Sequence, residues 1–320
     1  MNYFGIDISK KHIDVCPAGS TKVNKYPNTP QGWSTLLEDF TGDNNWFVME
    51  ATGPYFVGLA HWLCDKDQRV SVINPLIIRR YGQLKLKRIK TDKADARLIA
   101  DYSSKQYQDL VCWQPKSVAA RSIRQLLALL EKTIKLQTIV KNQREAFSQD
   151  PEAATYTLQL VEQQLDFLNQ QEKQITKELH KLAKAEYGPI LKSLQSIPGI
   201  GLKTAIIICA ITDGLTQFDS SQKLAAYTGI CPSPYESGSS IKGKGHISKL
   251  GSSLLRKTLY MCTLSGSRYN VGCKQMYERL KAAGKPNKLV RIAVANKLLR
   301  QAFVVGKSNS FFDPQKALGA

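Results

Sequence analysis

Two aspartates three residues apart, Asp92 and Asp95, stand in the stretch KRIKTDKADARLIADY (residues 87–102), inside a run of positive charge. Taken alone they have a structural explanation. Asp92 could be the N-cap of a helix and Asp95 the acid of a capping box, both favoured where backbone N–H groups point out of a helix N-terminus. Helical spacing gives a second reading. Asp95 lies in line with Leu98, Ile99 and Tyr102 and extends an apolar stripe that should face the protein body, with Asp101 on the opposite, solvent-facing side. Two more acids interrupt apolar strands, Asp7 within YFGIDIS and Glu50 at the end of WFVME. A carboxylate at the middle of one central strand, another at the C-terminal end of its neighbour and a pair on a following helix would converge on one sheet edge. Buried anions need a cation beside them, and oxygen donors of this kind suit Mg²⁺ or Mn²⁺.

This order of acids resembles the ribonuclease H-like fold of RuvC-type resolvases, in which two metal ions serve phosphoryl transfer. The basic flank then acquires a purpose. Arg79, Arg80, Lys85, Lys87, Arg88, Lys90, Lys93 and Arg97 would hold a polyanion beside the acids.

The elements that must position these groups can be read along the chain. Strand signals at residues 3–9 and in HIDVCPA and TKVNKYP suggest a three-strand antiparallel meander. A helix opened by Pro30 and ended near Gly42 follows, then the buried strand WFVME, a helix in FVGLAHWLCDK, and the strand RVSVINP stopped by Pro75. Three strands, helix, strand, helix, strand is an α/β order with a mixed sheet. After a basic segment, residues 79–90, comes the helix of Asp92 and Asp95. From about Ser117 the pattern changes to long polar helices with apolar stripes, Leu126, Leu129, Leu130, Ile134 and Leu136, then Leu158, Val161, Leu165, Leu168, Ile175, Leu179 and Leu182, with Asp150-Pro151 between them. This predicts an antiparallel helical hairpin, either a packed insertion or an oligomerisation arm. The expected domains are residues 1–110, a helical coiled-coil region 111–186, and a mainly helical domain 187–320.

The chain is 320 residues long, enough for more than one core, and carries 45 Lys and Arg against 26 Asp and Glu, a formal charge of +19. A polyanionic partner is the first expectation. Seven scattered cysteines and four dispersed histidines make no zinc-ligand spacing, and the cysteines read as reduced thiols of a cytoplasmic protein. The N-terminus lacks the pattern of a signal peptide, and no apolar run approaches the length of a membrane span.

The charge is concentrated late. Residues 236–300 hold fourteen lysines and arginines against two acids, Glu236 and Glu278. Lys242, Lys244, Lys249, Arg256 and Lys257 lie nearest a small loop made by Ser237, Gly238, Ser239 and Ser240. Upstream, LQSIPGIGLKTAIIICAI reads as helix, tight turn, helix. It resembles a helix-hairpin-helix in which Gly199, Gly201 and Lys203 would meet a phosphate, although a plain helix–helix turn explains the same residues.

In combination, GIDISK, VMEATG, KTDKADA, SIPGIG and the block GICPSPYESGSSIKGKGHISKLGSSLLRK resemble, in order and over almost the whole chain, the DEDD transposases of the insertion-sequence 110 family. The resemblance implies a RuvC-like domain carrying Asp7, Glu50, Asp92 and Asp95, a coiled coil, and a transposase domain whose serine is the nucleophile. Ser237 matches that serine best, with Ser239 and Ser240 as alternatives. It also implies double-stranded donor and target DNA as substrates, a structured bridge RNA as guide, and a homodimer or homotetramer. Two other functions use the same residues: a structure-specific nuclease or junction resolvase that activates water, and a non-catalytic nucleic-acid scaffold in which the acids are helix caps.

Overall fold

A computed structural model of the chain describes residues 1–86, 91–150, 152, 155–233, 236–237, 241–242 and 246–316, with backbone only at 233, 236–237 and 241–242. It divides into two compact units, Met1–Lys116 and Ser117–Ala320.

The first unit is built on one sheet. Its strands are β1 (Asn2–Ile8), β2 (His12–Pro17), β3 (Asn24–Pro27), β4 (Asn45–Glu50) and β5 (Arg69–Ile73), in the order β3-β2-β1-β4-β5. The first three form the expected antiparallel meander, and β4 and β5 run parallel to β1. Helices α1 (Pro30–Asp39), α2 (Phe56–Asp65), α3 (Pro75–Leu84) and α4 (Asp92–Lys105) cover its two faces. Strand alternation sorts the side chains. Phe4, Ile6, Ile8, Ile13, Val15, Phe47 and Met49 pack on Leu36 of α1 and on Leu59 and Leu63 of α2. Val48 and Ile73 face the other way, onto Ile78 and Tyr81 of α3 and Leu98, Ile99 and Tyr102 of α4. The result is a mixed five-stranded sheet between helices, compatible with a ribonuclease H-like fold.

The sequence reading missed α3. Pro75 does stop β5, but it also starts a helix at a position where its missing N–H costs nothing, with Asn74 Oδ1 accepting from the Leu76 N–H at 2.9 Å.

Gly5 decides how α4 sits. A Cβ there would fall 2.4 Å from the Ala96 carbonyl oxygen and 2.1 Å from the Ala100 nitrogen. The helix backbone therefore lies directly on β1. Cys16 of β2 continues the contact with Ala96 and Ala100, where small side chains again permit close packing.

In the second unit, α5 (Val118–Phe147) and α6 (Thr155–Gln195) form the predicted hairpin. Its seam differs from the expected stripe. Ala120, Ile123, Leu127, Leu130, Thr133, Gln137 and Val140 are the buried residues, whereas Leu129 and Leu136 are 43% and 46% exposed. The spacing of three and four continues through two polar residues. Gln137 Nε2 donates to Asn169 Oδ1 at 3.1 Å and to Glu172 Oε2 at 2.8 Å, and Thr133 Oγ1 donates to Gln171 Oε1 at 3.2 Å. Partners across the seam make those burials tolerable. Helix α6 kinks at Tyr187, two residues before Pro189, as a proline inside a helix requires.

Helices α7 (Leu202–Thr212), α8 (Ser221–Thr228), α9 (Ser253–Tyr269), α10 (Val271–Ala282) and α11 (Asn287–Ser308) close one core with the lower part of the hairpin. Arg124 of α5 reaches the open carbonyls of α7, Nε to Ala210 at 2.6 Å and an Nη to Ile211 at 3.0 Å. Between α8 and α9 run four two-residue strands, β6 (Pro232–Ser233), β7 (Glu236–Ser237), β8 (Ile241–Lys242) and β9 (His246–Ile247). Among the described residues no helix is long and apolar enough to cross a membrane.

The Gly5 contact gives a direct expectation. Gly5→Ala forces α4 away from β1 and should lower stability by about 1–3 kcal/mol, the usual cost of overpacking. Urea unfolding of the purified chain checks it, and an unchanged midpoint contradicts it.

Candidate active site

The N-terminus of α4 is capped by Thr91. Its Oγ1 accepts from the Ala94 N–H at 3.2 Å, and its carbonyl from the Asp95 N–H at 2.9 Å. Asp92 is the first helical residue and Asp95 the fourth, so neither has the capping-box role that spacing alone allowed. Both keep the favourable interaction of an acid with a helix N-terminus. Asp95 is half-buried and Asp92 exposed.

Asp101 also departs from expectation. It is half-buried rather than turned to solvent, accepting from Tyr81 Oη at 2.8 Å and pairing with Lys105 at 2.8 Å and Lys85 at 3.4 Å. Burial pushes its carboxyl up, but these donors hold it below the usual range. Lys85, expected to face nucleic acid, spends its charge here and lies 5.5 Å from the centre of the Tyr81 ring.

Asp7 lies next to last in β1, not at its middle. The parallel register pairs Ile6 with Met49, so one step further on Asp7 stands beside Glu50 at the C-terminal edge of the two central strands. Residues 3, 5 and 7 point to the face covered by α4. The Gly5 contact with Ala96 and Ala100 therefore places Asp7 near the first turn of α4 and its two aspartates. The electrostatics of Asp7 point the same way. The Asp7 carboxyl is pushed up to about 6, first by burial and then by the negative charges of Asp95, Asp92, Glu50 and Asp14. Glu50 accepts from Thr52 Oγ1 at 3.1 Å.

The charges of Glu50, Asp92 and Asp95 thus all reach Asp7. Among the described residues, no three His, Cys, Asp or Glu side chains are arranged as ligands of a single ion. Hard oxygen donors placed around a partly desolvated Asp7 have the chemistry that fits a divalent cation.

The sequence reading missed Asp14, the fifth influence on Asp7. Its signal was available: two short apolar strands joined by a tight turn each carry one aspartate, at positions that face each other when the hairpin closes.

Ser237 lies in the second unit. Its backbone is in β7, paired with Ile241, and Glu236 is paired with Lys242. Ser237 is therefore strand rather than loop. Gly238, Ser239, Ser240 and Lys244 lie outside the described residues, as do Lys87, Arg88 and Lys90. A separate two-stranded pair joins Pro232 with Ile247 and Ser233 with His246. Gly251 at φ +124° approaches the Tyr227 carbonyl so closely that a Cβ would fall 1.8 Å from the oxygen. Arg256 donates to the Thr228 carbonyl at 2.9 Å. Lys249 and Lys257 are exposed.

In the expected helix-hairpin-helix, Gly199 has φ +106° and a Cβ on it would meet the Gly266 backbone at 2.9 Å. Packing against α9 accounts for that glycine. Gly201 and Lys203 are exposed at the start of α7.

Comparison with known proteins identifies the family. Residues 4–147 match a DEDD-type IS110 family model described as Transposase, and residues 191–278 one described as Transposase IS116/IS110/IS902 family. A pilin gene-inverting protein of Moraxella bovis is 33% identical, and one of Moraxella lacunata 32%, each alignment covering 97% of both chains. The transposase for insertion sequence element IS1111A of Coxiella burnetii is 26% identical over 80% of this chain and 75% of its own. The chain belongs to the IS110 family of DEDD transposases and is a DNA transposase or recombinase.

Proposed function

We propose that the protein excises and inserts a mobile DNA element by divalent-cation-dependent phosphoryl transfer, with Ser237 as nucleophile and a covalent protein–DNA intermediate. The observation that carries this reading is the state of Asp7, whose five leading influences all oppose its negative charge. A protein keeps such a cluster where a cation joins it. Asp7, Glu50, Asp92 and Asp95 would hold Mg²⁺ or Mn²⁺, which supplies polarisation of the scissile phosphate and stabilisation of the leaving oxygen.

The protein's own groups do the rest. Ser237 Oγ attacks phosphorus, an Oγ–P ester forms, the bond to the leaving sugar oxygen breaks, and the serine proton ends on that oxygen. A free sugar hydroxyl of the incoming strand reverses the step, so no external energy source is needed. Lys203, Lys249 and Lys257, all exposed, and the basic stretch at Lys87, Arg88 and Lys90 hold phosphate backbones, as does Lys242. Division of labour follows the chain: residues 1–110 bring the acids, 111–186 the assembly arm of a dimer or tetramer, and 187–320 the serine. A structured guide RNA selects donor and target DNA by pairing, and the reaction takes place in the cytoplasm. Inversion of a DNA segment is a second outcome of the same chemistry, favoured by the pilin gene-inverting relatives that align along 97% of this chain.

Four experiments test this. Asp92→Asn and Glu50→Gln should each reduce strand exchange to background while leaving DNA binding intact, and strand exchange retained in both would contradict a catalytic role for these acids. A Ser237→Ala protein mixed with an Asp7→Ala protein should recover recombination if serine and acids are shared between protomers; no recovery from folded, assembled mixtures contradicts a shared site. RNA recovered with the purified protein and sequenced should be one discrete structured species, and a random population counts against guidance.

The fourth is a pH dependence. In EDTA, folded Asp7 keeps its proton up to about 6, whereas the unfolded chain releases it near the usual carboxylate value of about 3.9. Folding therefore binds a proton in that window, and this contribution to stability is lost as pH rises from about 4 to about 6. Asp7→Asn should remove that part of the fall in urea-unfolding free energy. Parallel profiles for the two proteins contradict the shift.

A further inference from the structure

Asp14 lies on the face of the sheet that carries the acids, and the proposed chemistry does not use it. Strands β1 and β2 are antiparallel, and Asp7 is paired with Asp14. Directly opposed residues of such a pair send their side chains to the same face, where like charges oppose each other. On its other flank Asp14 is paired with Lys25 of β3, and Cys16, two residues along, packs under Ala96 and Ala100 of α4. Asp14 is thus enclosed between Asp7 and the first turns of α4.

It is only 4% exposed, and its Oδ1 has no hydrogen-bond partner among the described residues. The groups that bear on it are Lys25, Lys93 and His12, which favour its charge, and Asp92, which opposes it; across the ladder its own charge acts against that of Asp7. None of the three cations makes an ion pair with it within the distances seen elsewhere in the molecule. A buried carboxylate oxygen without a donor is costly to keep, and a substitution as small as asparagine would relieve the repulsion. The arrangement makes sense if a positive charge comes between β1, β2 and α4.

We propose that Asp14 is a fifth carboxylate of the divalent-cation site, a positioning residue whose free oxygen faces the cation held by Asp7 and its neighbours. This rests on the reading that Asp7, Glu50, Asp92 and Asp95 bind such a cation. Mn²⁺ binding to the full chain, followed by the electron paramagnetic resonance signal of free Mn²⁺, separates the two. The wild type should bind, Asp7→Asn should bind much more weakly, and Asp14→Asn should lose about tenfold or more in affinity, the usual effect of removing a group that orients metal ligands. Asp14→Glu should recover part of that loss. In EDTA, Asp14→Asn should unfold at the same urea concentration as the wild type or at a higher one.

Equal Mn²⁺ affinity for wild type and Asp14→Asn overturns the inference and leaves the four-acid site standing. An Asp14→Asn protein that is less stable in EDTA, or too unstable to purify, also overturns it, because Asp14 is then a structural partner of Lys25. No Mn²⁺ binding by the wild type defeats the four-acid reading and Asp14 with it.

Discussion

Because Gly5 has no side chain, the backbone of α4 rests on the backbone of β1, and the chemistry of the first unit depends on that contact. A Cβ would fall 2.1 Å from the Ala100 nitrogen, so no other residue fits without moving the helix. The contact sets the height and the rotation of α4 at once. Asp95 precedes Ala96 by one residue, Asp7 follows Gly5 by two on the same face, and the parallel register of β1 and β4 brings Glu50 alongside. One glycine thus sets how closely the first turn of α4 approaches the edge where Asp7 and Glu50 stand.

That approach is electrostatically unfavourable by itself. In a chain of net charge +19, the acidic edge is local and is set against basic segments on either side in sequence. Asp101, one turn and a half beyond Asp95 on the same helix, shows the contrast. It is satisfied by Tyr81, Lys85 and Lys105 and held below the usual carboxylate range. Asp7 is pushed the opposite way, up to about 6. Two aspartates of one small unit thus differ in the sign of their shift, and the difference separates a structural acid from a candidate site acid.

Much of this was legible in the sequence, for identifiable reasons. The five strands and their mixed order followed from short apolar runs bounded by Gly and Pro, and the four acids stood out because each interrupts or extends an apolar pattern. What was not legible depended on partners distant in the chain. Asp14 reads as an ordinary polar residue of a half-buried strand until the hairpin register sets it opposite Asp7. Hydropathy favoured Leu129 and Leu136 in the helical seam, yet Thr133 and Gln137 are buried there because Gln171, Asn169 and Glu172 across the seam accept their hydrogen bonds. Asp92 and Asp95 fit a capping box by spacing, but Thr91 takes the cap. Gly199 fits a phosphate-binding turn by motif, and the structure gives it a packing role against Gly266.

The measurement that bears most directly on the central claim is anomalous diffraction from crystals of the protein soaked in Mn²⁺. The account predicts density for the cation at the edge formed by β1, β4 and the first turn of α4, with Asp7, Glu50, Asp92 and Asp95 turned toward it. Mn²⁺ bound elsewhere while that edge stays empty, in crystals that hold the ion at full occupancy, would contradict it.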